Sequence, residues 1–209
     1  MRLLSKSIAA LAMALVAMQA TAFQAVEGKD YRVVSPSVAT SEESIEVVDF
    51  FAYTCGHCQR LAPMLEEWIK EQPADVFVRR VPVAWEPATQ FLSRIYYTFE
   101  ALNRVSDLHP VFWQDILSGK ITSEADLQNW LLDHNVDLKQ WNAAYSSFAV
   151  TMHTQQALQA WQNYQLDATP YIAVAGKYLT APHMAGSRQK TIKVLDWLIE
   201  RERQQRQKQ

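Results

Sequence analysis

Cys55 and Cys58 are the two cysteines of a 209-residue chain, and only Gly56 and His57 separate them. A pair at this spacing suits two kinds of chemistry, thiol–disulfide exchange and metal ligation. A purely structural bridge explains it poorly, because a loop enclosing two residues removes little entropy from the unfolded chain and adds little stability. A structural zinc takes four ligands in a tetrahedron, and the sequence offers neither a second cysteine pair nor a paired histidine motif. His109, His134, His153 and His183 are scattered, and each reads as an ordinary surface or capping histidine. Reactivity is the better explanation of the pair.

Such reactivity needs a particular setting, since the thiolate rather than the thiol is the nucleophile. Residues 44–53, SIEVVDFFAY, are a Val- and Phe-rich run of the length of a buried strand. From Cys55 onward Leu61, Leu65, Trp68 and Ile69 fall on one helical face, and Pro73 lies beyond the helix end. Residues 75–85, DVFVRRVPVAW, read as a second strand, so strand, helix and strand make a right-handed unit with parallel strands. Cys55 then lies in the first helical turn, near unpaired backbone N–H groups and the positive end of the helix dipole, which stabilise a thiolate. Cys55 faces solvent on this reading and Cys58, three residues further on, points inward. His57 between them adds a cationic donor that favours negative charge on Cys55. Asp49 sits mid-strand, where an ionised carboxylate is costly unless paired and its pKa rises. The sequence leaves open whether Asp49 points to a solvated edge or accepts a proton from Cys58. Pro63 falls inside the helix, where a proline kinks it.

Other elements surround this unit. A short strand at Tyr31–Val34 ends at Pro36, and after residue 85 a long helical region replaces a third strand. Residues 87–105 form a helix entered at Pro87, with Phe91, Ile95 and Phe99 at i, i+4 spacing. Helices at 109–119, stopped by Gly119, at 122–135, capped by Thr122 or Ser123, and at 137–148 follow. Trp113, Trp130 and Trp141 read as core residues of this block. After a helix over 151–165, YIAVAGKYLT at 171–180 gives two short strands turning at Gly176. The last helix presents Ile192, Leu195, Leu198 and Ile199, and the basic stretch at 201–209 reads as a frayed, solvated tail. The order of elements describes an α/β domain interrupted by an all-helical insertion.

Arg2 and Lys6 precede an apolar run from Ile8 to Met18, and Ala20-Thr21-Ala22 suits a cleavage site, so residues 1–22 are expected to be a secretory signal peptide. The run is shorter than the about 18 apolar residues of a membrane anchor. A net charge of −2 argues against nucleic acid as the partner.

The stretch VVDFFAYTCGHCQRLAP, with Asp49, the cysteine pair and Pro63, resembles the thioredoxin superfamily, and ATPYIAV resembles the cis-proline signature of the same fold. The signal peptide, the long helical block and the lack of other cysteines are similar to the DsbA group of periplasmic thiol:disulfide oxidoreductases. The resemblance implies a thioredoxin fold built from 23–86 and 151–209, with 87–150 as the helical insertion domain. It implies that Cys55 is the attacking thiol and Cys58 its resolving partner. Gly56 and His57 would tune the potential, Asp49 would be the buried acid, and Thr169 with a cis-bonded Pro170 would shape the substrate groove. It implies neither cofactor nor metal. The partners implied are unfolded or reduced secreted proteins and a DsbB-like quinone-linked membrane oxidase, and the location is the periplasm. Two positions depart from the group. Gly56-His57 looks like the dipeptide of protein disulfide isomerase, and Thr169 replaces a familiar Val; both bear on oxidising strength.

The same residues would also serve a disulfide reductase or isomerase. Isomerases of this compartment generally add a dimerisation module, and the chain has no spare segment for one. A reading from a different class takes Cys55, His57 and Cys58 as metal ligands or packing groups in a binding or holdase module.

Overall fold

The computed structural model describes residues 23–208, and the expected signal peptide lies outside them. Five strands form one sheet: β1 (Tyr31–Val33), β2 (Ile45–Phe51), β3 (Val76–Pro82), β4 (Tyr171–Val174) and β5 (Tyr178–Thr180), in the order β1-β5-β4-β2-β3. β2 runs parallel to β3 and antiparallel to β4, and the β4–β5 and β5–β1 pairs are antiparallel. The continuous apolar character of β2 follows from its place in the sheet. Every residue but Glu46 is buried, because both faces are covered. Ile45 and Val47 pack with the helix that carries the cysteines and with the last helix, whereas Val48 and Phe50 join the core shared with the helical block. By the strand's alternation Asp49 shares the face of Ile45 and Val47, beneath the cysteine-bearing helix.

That helix, α1, spans Gly56–Lys70 and continues through Pro63. Between β3 and β4 lie α2 (Pro87–Ala101), α3 (Val105–Leu117), α4 (Glu124–Asp133), α5 (Leu138–Tyr145) and α6 (Phe148–Asn163); α7 (Pro182–Ala185) and α8 (Arg188–Arg206) follow the hairpin. Trp113, Trp130 and Trp141 are buried in the core of this block. Ser123 caps α4, accepting from Asp126 N–H. The hairpin turns at Gly176, as expected, and the reason is steric: φ there is +65°, and a Cβ would lie 1.8 Å from the Val38 carbonyl oxygen. Among the described residues no helix is long and apolar enough to cross a membrane.

In the helical block the structure corrects the sequence reading in three places. The helix expected over 87–105 stops at Ala101, where Asn103 takes a left-handed φ of 55° and Arg104 N–H closes on Phe99 O at 2.8 Å. The next helix starts at Val105, so His109 and Pro110 lie inside it rather than at its start. Of the stripe Phe91, Ile95 and Phe99, only the last two are buried, and Phe91 is exposed.

The basic C-terminal stretch is no frayed tail either. α8 continues to Arg206, and its Glu202 is 1% exposed, held by Lys177 at 2.8 and 3.0 Å and by Arg206 at 3.0 Å. Arg203 pairs with Asp75, and Arg206 donates to the carbonyls of Glu42 and Ser44 at the entry to β2. Glu202→Ala removes the carboxylate these cations share. It is expected to lower stability by about 2 kcal/mol, below the ~3–5 kcal/mol of breaking a fully buried pair. The two cationic side chains keep 38% and 27% of their surface in water, which limits the loss. Urea unfolding of the variant checks the value.

Candidate active site

Cys55 is the N-cap of α1, with extended backbone (φ −97°, ψ 101°), and its sulfur accepts a hydrogen bond from Cys58 N–H at 3.1 Å. The turn that delivers it there is closed by Cys55 N–H on Ala52 O at 3.0 Å. The two sulfurs are bonded, with the α-carbons 5.3 Å apart. Cys58 is 2% exposed, whereas Cys55 is only partly buried and His57 is exposed. The pair is therefore asymmetric, with one sulfur open to attack and the other sealed in the core. When the bond opens, the amide that now donates to the sulfur of Cys55 donates to its thiolate, a charge-assisted bond at the positive end of a 15-residue helix.

The loop before β4 comes up against this sulfur. Thr169–Pro170 is a cis peptide bond, and Thr169 O lies 3.4 Å from Cys55 Sγ across a separation of 114 residues. Pro170 is buried and Thr169 partly exposed. Of the residues singled out in the sequence, the fold thus brings Cys55, Gly56, His57, Cys58, Thr169 and Pro170 to one end of the sheet.

Asp49 is buried rather than at a solvated edge, which settles the first of its two readings. It faces Arg80 across the β2–β3 pair, Oδ2 to Nε at 3.7 Å, and Arg80 also pairs with Glu66 of α1. Burial raises the Asp49 carboxyl to about 6, with Arg80 pulling it down and Glu66 pushing it up.

His109 escaped the sequence reading, which placed it at the surface or at a cap. It is 4% exposed, its Nδ1 lies 2.8 Å from the Tyr53 hydroxyl, and Phe51, Tyr96 and Trp113 surround its ring. Burial drives the imidazole down to about 3, with Arg80 adding to the effect, so it stays neutral. Burial likewise raises the Tyr53 phenol. The hydrogen bond ties the segment just before Cys55 to α3 of the helical block. One signal was present in the sequence: His109 stands three and four residues from Phe112 and Trp113, on the apolar face of α3. His134 does cap, at the end of α4, where it stacks on Trp130 at 4.0 Å, and His153 and His183 are exposed.

Comparison with known proteins places this geometry. A family model described as Thioredoxin matches residues 32–93. The thiol:disulfide interchange protein DsbA of Bordetella parapertussis is 35% identical over 199 residues, covering 93% of this chain and 95% of that protein. The DsbA of Pseudomonas aeruginosa strain PAO1 is 32% identical over 199 residues, with 93% and 94% covered. The crystal structure of Pseudomonas aeruginosa DsbA matches with a TM-score of 0.81 at 28% identity, over 86% of this chain and 95% of that one. The fold is thus a thioredoxin fold carrying a helical insertion, and its half-open cysteine pair is that of a thiol:disulfide oxidoreductase. With relatives this similar along nearly the whole length, the chain belongs to the DsbA family of thiol:disulfide interchange proteins.

Proposed function

We propose that the protein hands its Cys55–Cys58 disulfide to reduced polypeptides newly exported to the periplasm. The observation that carries this reading is the asymmetry of the pair, with Cys55 Sγ at the helix N-cap and partly open while Cys58 is 2% exposed. A client thiolate attacks Cys55 Sγ, the Sγ–Sγ bond breaks, and Cys58 leaves as the thiolate or takes up a proton. A second client thiolate then attacks the client sulfur of the mixed disulfide and releases Cys55 as a thiolate. Two electrons pass from client to protein, and the client gains one disulfide. Departure of Cys55 is favoured because its thiolate keeps the Cys58 N–H bond and the helix dipole.

In this scheme Asp49, with its raised pKa beneath α1, exchanges the proton of Cys58, and Gly56 and His57 set the potential. Thr169 and Pro170 hold the client's backbone as an added strand. Residues 23–86 and 151–209 act as the redox domain, with 87–150 as a helical domain over it. A DsbB-like quinone-linked membrane oxidase restores the disulfide, and a signal peptide over 1–22 directs export.

Mixing the oxidised protein with a reduced two-cysteine peptide tests the reading. The expected result is stoichiometric peptide oxidation, with an equilibrium against glutathione that leaves the protein mostly reduced at the ratio where ordinary structural disulfides stay intact. An equilibrium well below the glutathione couple would show a reductase instead.

A further inference from the structure

A cleft of about 390 Å³ opens beside the active-site dipeptide, lined by His57, Pro182, His183, Gly186, Ser187, Arg188 and Gln189. Four of these side chains carry N–H donors, and none is a carboxylate. Although the chain holds 22 acidic residues, none occurs between Phe50 and Leu65 or between Ala168 and Leu195, the two segments that meet at the sulfur of Cys55. Those stretches contribute His57, Arg60, Lys177, His183, Arg188, Lys190 and Lys193. Lys177 is taken by Glu202 at 2.8 Å and Lys190 by Asp30 at 2.6 Å, and Arg188, the one Arg or Lys that lines the cleft, pairs with no acid among the described residues. Of the two acids that bound the second stretch, Asp196 accepts from the Trp68 indole N–H at 2.7 Å, and Asp167 accepts from the Tyr171 hydroxyl at 2.9 Å and reaches His183 only through that hydroxyl, 3.3 Å from Nε2. The fold has thus set a donor-rich, acid-free recess within two residues of the attacked sulfur on a protein whose net charge is negative.

We propose that this cleft is a specificity subsite that favours clients bearing an Asp or Glu side chain next to the cysteine being oxidised. The client carboxylate accepts from Arg188 and from the imidazole N–H groups of His57 and His183, while its cysteine sulfur engages Cys55. The proposal rests on the function given above and adds a substrate class to it. The Arg188 guanidinium, half-buried at the recess, is only partly screened by solvent, so the preference shows in the rate of productive encounter as well as in affinity.

The test uses three reduced two-cysteine peptides, identical except that Glu, Gln or Lys flanks the first cysteine. With the oxidised full-length protein, kcat/KM is expected to rank Glu above Gln above Lys, with about a tenfold span between the extremes. The span narrows as salt rises from ~0.05 M to ~0.5 M. Arg188→Gln brings the Glu peptide down to the level of the Gln peptide, and Arg188→Glu inverts the order of Glu and Lys. Equal rates on all three peptides, or an order unchanged in Arg188→Glu, overturns the subsite and leaves the oxidase function standing. Failure to oxidise any peptide overturns the oxidase function itself.

Discussion

Cys58→Ser, incubated with a disulfide-bonded client peptide, accumulates as a covalent adduct through Cys55, whereas Cys55→Ser forms none and oxidises reduced peptide only at the uncatalysed background. The contrast follows from exposure and geometry. In Cys58→Ser the thiolate of Cys55 sits at the helix N-cap and attacks the client disulfide, forming one mixed disulfide and releasing one client thiolate. The side chain that would resolve the adduct from within the protein is now a hydroxyl. In Cys55→Ser the remaining sulfur belongs to a residue 2% exposed, so neither a client disulfide nor an incoming thiolate reaches it along the line of attack. Non-reducing electrophoresis with mass spectrometry of the adduct decides the matter. Equal trapping by the two variants would mean that the sulfurs are equivalent, contrary to the structure.

The second large effect concerns acid stability, and two buried groups act in opposite directions. Asp49, raised from 3.8 to about 6, holds a proton in the folded state that the unfolded chain has lost. Its contribution therefore favours folding at low pH and disappears as pH rises through about 6. His109, lowered from 6.5 to about 3, is neutral when folded and protonated when unfolded below its ordinary value. Its contribution is present above about 6.5 and is lost as pH falls toward about 3. Each changes by roughly 1.4 kcal/mol per pH unit inside its window, so between about pH 4 and 6 they nearly cancel. The wild-type protein is expected to show a flat profile there. Asp49→Asn should be about 2 kcal/mol more stable at pH 7 and should lose stability steadily on acidification from 6 to 4. His109→Gln, which keeps an acceptor for the Tyr53 hydroxyl, should gain stability over the same interval. Carboxylates held down by partners, such as Asp30 with Lys190 and Asp115 with Lys120, act mainly below that range. Urea unfolding at four pH values measures all three proteins; parallel profiles would refute the assignment of both groups.

Much of what depends on a local period was legible in the sequence. The Val and Phe run of β2, the Leu61, Leu65 and Trp68 face of α1 and the glycine turn of the hairpin each appear within a few residues of their expected places. What escaped depends on partners distant along the chain. Asp49 stayed undecided because Arg80, which faces it, is set by strand register and not by spacing. The C-terminal stretch looked solvated because Lys177, Asp75 and the carbonyls of Glu42 and Ser44 that hold it lie in other elements. The spacing of His109 from Phe112 and Trp113 marks a buried face only once the helix is known to begin at Val105; with a helix expected to start at 109, it reads as a cap. The cysteine pair itself was plain, but that Thr169 O closes on Cys55 follows from the fold as a whole.

That closure spans 114 residues, and it bears on biogenesis. A chain that emerges N-terminus first from a ribosome or a channel presents its dithiol long before β4 and its preceding loop are free. Until then β2 has β3 on one side but no β4 on the other, and Cys55 lacks the wall that Thr169 and Pro170 give it. The complete site comes into being only when nearly the whole chain has emerged.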